Sequence, residues 1–164
     1  MNLPVGEVIS QGVNFREIDS QRLVESFFDK KFSGYIVMTL QGFNGLEEGI
    51  LLFKEGFLVG SIYEYDLQGL TVFGDSSIEH VFNAFAAEYV SADIVSLSNQ
   101  QVDLVTAFND KAKLHKVISK KDIGRSIPKV FSPQQAELVL KDFLGKKDSK
   151  KDIFKKLGLS SLGD

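Results

Sequence analysis

The sequence predicts an α+β fold, with a mainly antiparallel sheet of about five strands flanked by helices and followed by a C-terminal helical extension. Three observations carry this. Residues 33–64 form a meander of three apolar runs joined by glycine-containing turns. Two further apolar runs, residues 70–73 and 89–97, supply a fourth and fifth strand. The segments around them place apolar residues at three- and four-residue spacing behind capping residues, which is the pattern of amphipathic helices.

Residues 1–17 form either a short edge strand around Val5 to Ile9 or a lead into the domain; Val8, Ile9, Val13 and Phe15 are too apolar for a free tail. A first helix spans residues 20–31. Asp19 is its N-cap, Ile18 and Leu23 have staple spacing, and Leu23, Val24, Phe27 and Phe28 form its stripe. Lys30 and Lys31 fall in its last turn, where cations suit the helix dipole.

In the meander, Tyr35, Val37 and Thr39 alternate with Ile36, Met38 and Leu40, so both faces are apolar and the strand is central. The turn QGFNG leaves Phe43 at a tip, either folded back on the core or offered as a contact. Residues 54–57, KEGF, make a tight hairpin in which Gly56 supplies positive φ. Gly60, inside the third run, marks a bulge or a close approach, of a packed helix before a ligand.

Ser76 and Glu79 form a capping box that opens a second helix over residues 77–87. Ile78, Val81, Phe82 and Phe85 face inward and His80 lies on the polar side. A second box, Ser98 with Gln101, opens a third helix to residue 109, with Val102, Val105 and Phe108 inward and Leu104 flanking. Residues 111–131 either extend a helix or strap the acidic body with Leu114, Val117, Ile118 and Ile123. Ser132 and Pro133 start a fourth helix carrying Ala136, Val139, Leu140 and Phe143, which stops at Gly145. Residues 146–151, KKDSKK, then form a charged hinge. Beyond it a short tail helix has Ser149 at its cap, Ile153, Phe154 and Leu157 on one face, Gly158 at C′, and Leu159 spaced to close on Phe154. So short a helix forms when docked, because nucleation is costly below roughly 12 residues.

A length of 164 residues suits one domain with appendages, and 43% apolar content with 14 Phe builds a real core. The absence of Cys excludes disulfides, thiol catalysis and Cys-ligated zinc and fits a cytoplasmic location. No signal peptide and no membrane span are expected. The net charge of −3 hides a division. Residues 1–110 carry 5 Lys+Arg against 16 Asp+Glu, and residues 111–164 carry 14 against 6. The expected organisation is an acidic α+β domain (1–110), a basic linker and helix packing on the body or on a second copy (111–145), and the hinge and tail (146–164).

The run FSGYIVM, then EEGILLFKEGFLVGSIYE and GLTVFGDSSIEHVFNAF, covers roughly residues 30–97 and resembles an archaeal domain family of unknown function. It is also distantly similar to the PATAN domain of bacterial response regulators. The matching positions are Phe32, Gly34, Gly49, Phe53, Gly56, Leu58 and Val59, and Gly60 stands where that hairpin has Ala. The resemblance implies a non-enzymatic signalling or adaptor module with no catalytic residues to carry over.

The residues point the same way. Glu47 and Glu48 are adjacent in a strand, point to opposite faces and read as a solvated hairpin rather than an acid–base pair. His80 and His115 are isolated, and metal sites need several ligands. There is no phosphate loop, dinucleotide fingerprint or nucleophile elbow. The expectation is therefore no enzyme and no cofactor. Instead, an interaction module or adaptor, with a homodimer as one option, docks an unidentified protein partner through Ile153, Phe154, Leu157 and Leu159 in a hydrophobic groove. The alternative is a nucleic-acid-associated protein using Lys146, Lys147, Lys150, Lys151, Lys155 and Lys156 on phosphates. Against it, only Phe131, Phe143 and Phe154 interleave the basic residues. An anionic membrane surface is a third possibility, for which the tail has too few large apolar residues.

Overall fold

The structure of the chain is a computed structural model that describes residues 3–116 and 118–156. It is α+β, as expected. Its strands are β1 (Glu7–Val13), β2 (Gly34–Gly42), β3 (Gly45–Lys54), β4 (Phe57–Tyr65), β5 (Leu70–Phe73) and β6 (Val90–Ser96). Its helices are α1 (Ser20–Asp29), α2 (Ile78–Ala84), α3 (Asn99–Phe108), α4 (Lys120–Ser126) and α5 (Gln134–Lys156). The described strands form one antiparallel sheet in the order β1-β6-β2-β3-β4-β5. The ambiguous N-terminal lead is an edge strand. Bulges on its pairing with β6 and the positive φ of Gly12 kink it, which blunts that edge against further pairing. The opposite edge, β5, is only 4 residues long.

Strand parity sorts the core into two layers. On one face, Ile36, Met38, Leu40, Leu51 and Phe53 are buried, and Phe53 meets the rings of Phe27 and Phe28 from α1. α2 packs over β2, β3 and β4 on the same face. On the other, Tyr35, Leu52 and Val95 pack with Val102 and Val105 of α3. Beside them Ile50 and Ile62 pack with Ala112. The expected caps of α1 and α3 are formed: Asp19 accepts from Arg22 N, and Ser98 and Gln101 make a reciprocal capping box.

The segment after α3 is the strap, not a helical extension. A 3-10 turn at Asp110–Ala112 brings Lys113 into a bridge with Gly60, where a Cβ would stand 3.3 Å from Ala112 O. The close approach at Gly60 is thus made by the chain's own backbone, next to a bulge between Leu52 and Phe53. Asp75 accepts from the N–H groups of His115 and Lys116, Lys120 pairs with Asp29 at 2.6 Å, and Ile123 of α4 is fully buried. Where the strap ends, the buried Asn83 of α2 pairs through its carboxamide with both Ser132 N and Ser132 O at 2.8 Å. The predicted linker at 125–129 accordingly begins inside a helix.

Several local expectations are corrected. Residues 74–77 form a 3-10 turn before α2, so the N-cap is Ser77 rather than Ser76, and its buried hydroxyl bonds Ser61 Oγ and Gly74 O instead of capping the helix. Phe108 is 85% exposed, not inward, and Leu104 is exposed with it. α5 runs unbroken through Gly145, so neither the expected stop there nor a hinge at 146–151 occurs. Gly ends a helix by adopting the left-handed conformation, and Gly145 is not among the positive-φ glycines. The chain forms two compact units, residues 1–132 and 133–164. Among the described residues, no helix is long and apolar enough to cross a membrane.

Candidate functional site

Two features of the sheet stand out chemically, one buried and one open. The buried one overturns two sequence expectations. Glu47 is 2% exposed and His80 8%, so neither is a solvated surface group. Parity puts Glu47, Tyr63 and Tyr65 on the face covered by α2. Tyr63 Oη donates to Glu47 Oε2, while Phe43 N donates to Glu47 Oε1 at 2.9 Å. Tyr65 Oη and His80 Nδ1 share a hydrogen bond of 2.8 Å. The tyrosine rings meet edge to face at 5.1 Å, and the imidazole lies 5.6 Å from the Tyr63 ring.

Burial raises the Glu47 carboxyl, opposed by the Tyr63 hydroxyl and the turn N–H groups. Burial likewise raises both tyrosines and lowers His80. The groups bond one another and the backbone, and Glu47 ties the Phe43–Asn44 turn down onto the sheet. A side chain at Gly42 would displace the carboxylate, since a Cβ there would stand 2.0 Å from Glu47 Cδ. Among the described residues, no group of three or more His, Asp or Glu side chains could hold a metal ion.

The open feature is on the other face. α3 and the 3-10 turn after it cover the half around Tyr35, Leu52 and Ile50. The half toward the Phe43–Asn44 turn is more open: Thr39, Gln41, Leu46 and Ser91 are exposed, while Glu48 and Glu64 are half-buried. Register places Thr39, Gln41, Leu46 and Ser91 there, with Glu48 directly opposite Glu64. Leu46 is 54% exposed and Tyr89 64%. A shallow groove of about 430 Å³ runs between them past Thr39, Gln41 and Ser91. Like charges directly opposite on adjacent strands repel. The Glu48 carboxyl is raised, by burial first and then by Glu64. Replacing Glu48 with lysine puts an ion pair there and is expected to stabilise the fold by about 0.2–1 kcal/mol, read as a higher midpoint in urea unfolding.

A family model matches residues 1–109, about two thirds of the chain. The chain belongs to the family of uncharacterized proteins conserved in archaea, DUF2226. No curated protein and no solved structure matches it. The DUF2226 span runs from β1 through α3, so it contains both the Glu47 network and the open half-face, while the strap, α4 and α5 lie beyond it.

The residues singled out from sequence lie beyond that span too. Lys146 is exposed on α5 and pairs with Asp142 at 2.6 Å. Lys147, Lys150, Lys151, Ile153, Phe154, Lys155 and Lys156 lie on the backbone of α5, and their side chains lie outside the description, as do Leu157 and Leu159 altogether. Leu46 and Tyr89 were missed. The available cue was parity: an apolar Leu46 on the same side of the strand as Glu48, directly behind a turn glycine, breaks the polar face expected of a solvated hairpin.

Proposed function

We propose that this DUF2226 protein is a non-enzymatic interaction module, an adaptor working in the cytoplasm, that docks a protein partner through Ile153, Phe154, Leu157 and Leu159. The observation that carries an interaction role is the half-open sheet, where Leu46 and Tyr89 face solvent beside a half-face that α3 covers in the ordinary way. The similarity of the β3–β4 hairpin to the PATAN domain supports the same class.

The nucleic-acid alternative has less support. Lys113 and Lys120 of the strap and Lys146 of α5 already pair with Asp110, Asp29 and Asp142, which leaves fewer cations for phosphate.

The test is capture from native cytosol, comparing the full chain with its Phe154→Asp/Leu157→Asp variant at low and high salt. A protein retained in high salt and lost from the variant is expected. Recovery of nucleic acid alone, released as salt is raised, overturns the reading in favour of the alternative.

A further inference from the structure

We propose that the open half of the sheet is the receptor for the C-terminal segment of a second copy of this chain. This rests on the docking role given to that segment above and names its acceptor.

The acceptor is an unfinished layer. A sheet face is normally covered by another element, and α3, the following turn and Leu3 cover only half of this one. From β6 to β5 the open half crosses five strands, about 19 Å at the usual strand spacing. A helix of about 13 residues has that length, and α5, at 23 residues, is long enough to cross it. Leu46 and Tyr89 supply the apolar contact at one end of the strip.

Charge selects the occupant. Glu48 and Glu64 oppose each other across β3 and β4; at Glu48 the N-terminal amine offsets part of the negative potential and Asp66 adds to it. Neither glutamate forms an ion pair with a described lysine or arginine. A segment that lays cations beside this pair relieves the repulsion while its apolar residues cover Leu46 and Tyr89. The sequence 147–159 has five lysines against two aspartates, together with Ile153, Phe154, Leu157 and Leu159. The two sheet edges are bulged or short, which leaves the face rather than an edge for association. If two chains exchange segments reciprocally, the assembly closes as a two-fold dimer; one-way exchange propagates head to tail.

The experiment is sedimentation of the full chain over a range of concentrations, alone and with a synthetic peptide of residues 146–164. Self-association, reversed by excess peptide, is expected. Leu46→Asp should weaken it at least about tenfold, because it buries an unpartnered charge in the contact. Glu48→Lys should weaken it while raising the unfolding midpoint, so that association and stability move in opposite directions; a merely damaged fold lowers both. A chain that stays monomeric at every concentration, or an assembly that ignores both substitutions, overturns the proposal. If partner capture still depends on Phe154 and Leu157 in that case, the docking role stands and only its acceptor is wrong. If capture does not depend on them, the docking role itself fails.

Discussion

Phe53→Ala is expected to be the most damaging single substitution in the sheet, lowering stability by about 3–5 kcal/mol. Phe53 is fully buried on β3 and faces Gly34, which offers no side chain to fill the space left behind. Its ring meets Phe27 at 5.2 Å and both Phe28 and Phe32 at 6.0 Å, so one residue joins β3 to α1 and to the turn after it. Edge-to-face pairs add about 0.5–1.5 kcal/mol beyond the area they bury. α4 is tethered to α1 by Lys120 and Asp29, so loosening α1 also loosens part of the strap. A domain with about 5–15 kcal/mol of stability loses a large share of it. Urea unfolding should show a much lower midpoint with an unchanged slope. Phe57, four residues on and 63% exposed, is the internal control, and its replacement by alanine should stay within about 0.5 kcal/mol. Equal effects at the two positions would mean that Phe53 contributes no more packing than the exposed Phe57.

The contrast between these phenylalanines shows what the sequence makes legible. Features fixed by local chemistry were readable. Gly56 adopts the positive φ its turn demands, Asp19 and Ser98 cap their helices, and the apolar runs of β2, β3 and β4 pair as a meander. Features fixed by what lies opposite were not. A helical wheel assumes one polar face, yet Ile78, His80, Val81, Phe82, Asn83 and Ala84 of α2 are all buried, because Tyr65 receives His80 and the strap reaches back to Asn83. Phe108 follows Val105 by three residues, and at about 100° per residue it falls about 60° short of a full turn, which leaves it about 120° round from the fully buried Val102 and outside the core. Glu47 and Glu48 were correctly assigned to opposite faces; which face was closed depended on α2, more than 30 residues away. The open half-face was hidden for the same reason, since a surface is defined by the element that fails to cover it.

Glu47 is where buried polar chemistry should be measurable. Glu47→Ala removes the acceptor of the Tyr63 hydroxyl and of Phe43 N–H, and each buried donor left without a partner costs about 1–3 kcal/mol. Glu47→Gln keeps one acceptor oxygen and removes the charge, so it should be the milder change and should alter the pH dependence. Burial raises the folded carboxyl above its ordinary value of 4.5. The folded state therefore holds this proton more tightly than the unfolded chain does. Glu47's contribution to stability is fully present below 4.5 and is lost as pH rises through the raised value. His80 has the opposite sign. Burial lowers it from 6.5, so its contribution is present above 6.5 and is lost as pH falls through the lowered value. Glu48 is raised too, but it is common to wild type and Glu47→Gln, so the difference between them isolates Glu47. Chemical unfolding from pH 4 to pH 8 should show wild type losing stability relative to Glu47→Gln as pH rises. A difference that is flat across the range would mean that Glu47 is as hydrated folded as unfolded. The Phe43–Asn44 turn would then not be held down by a buried carboxylate, and the rim of the open half-face beside Leu46 would lose its anchor.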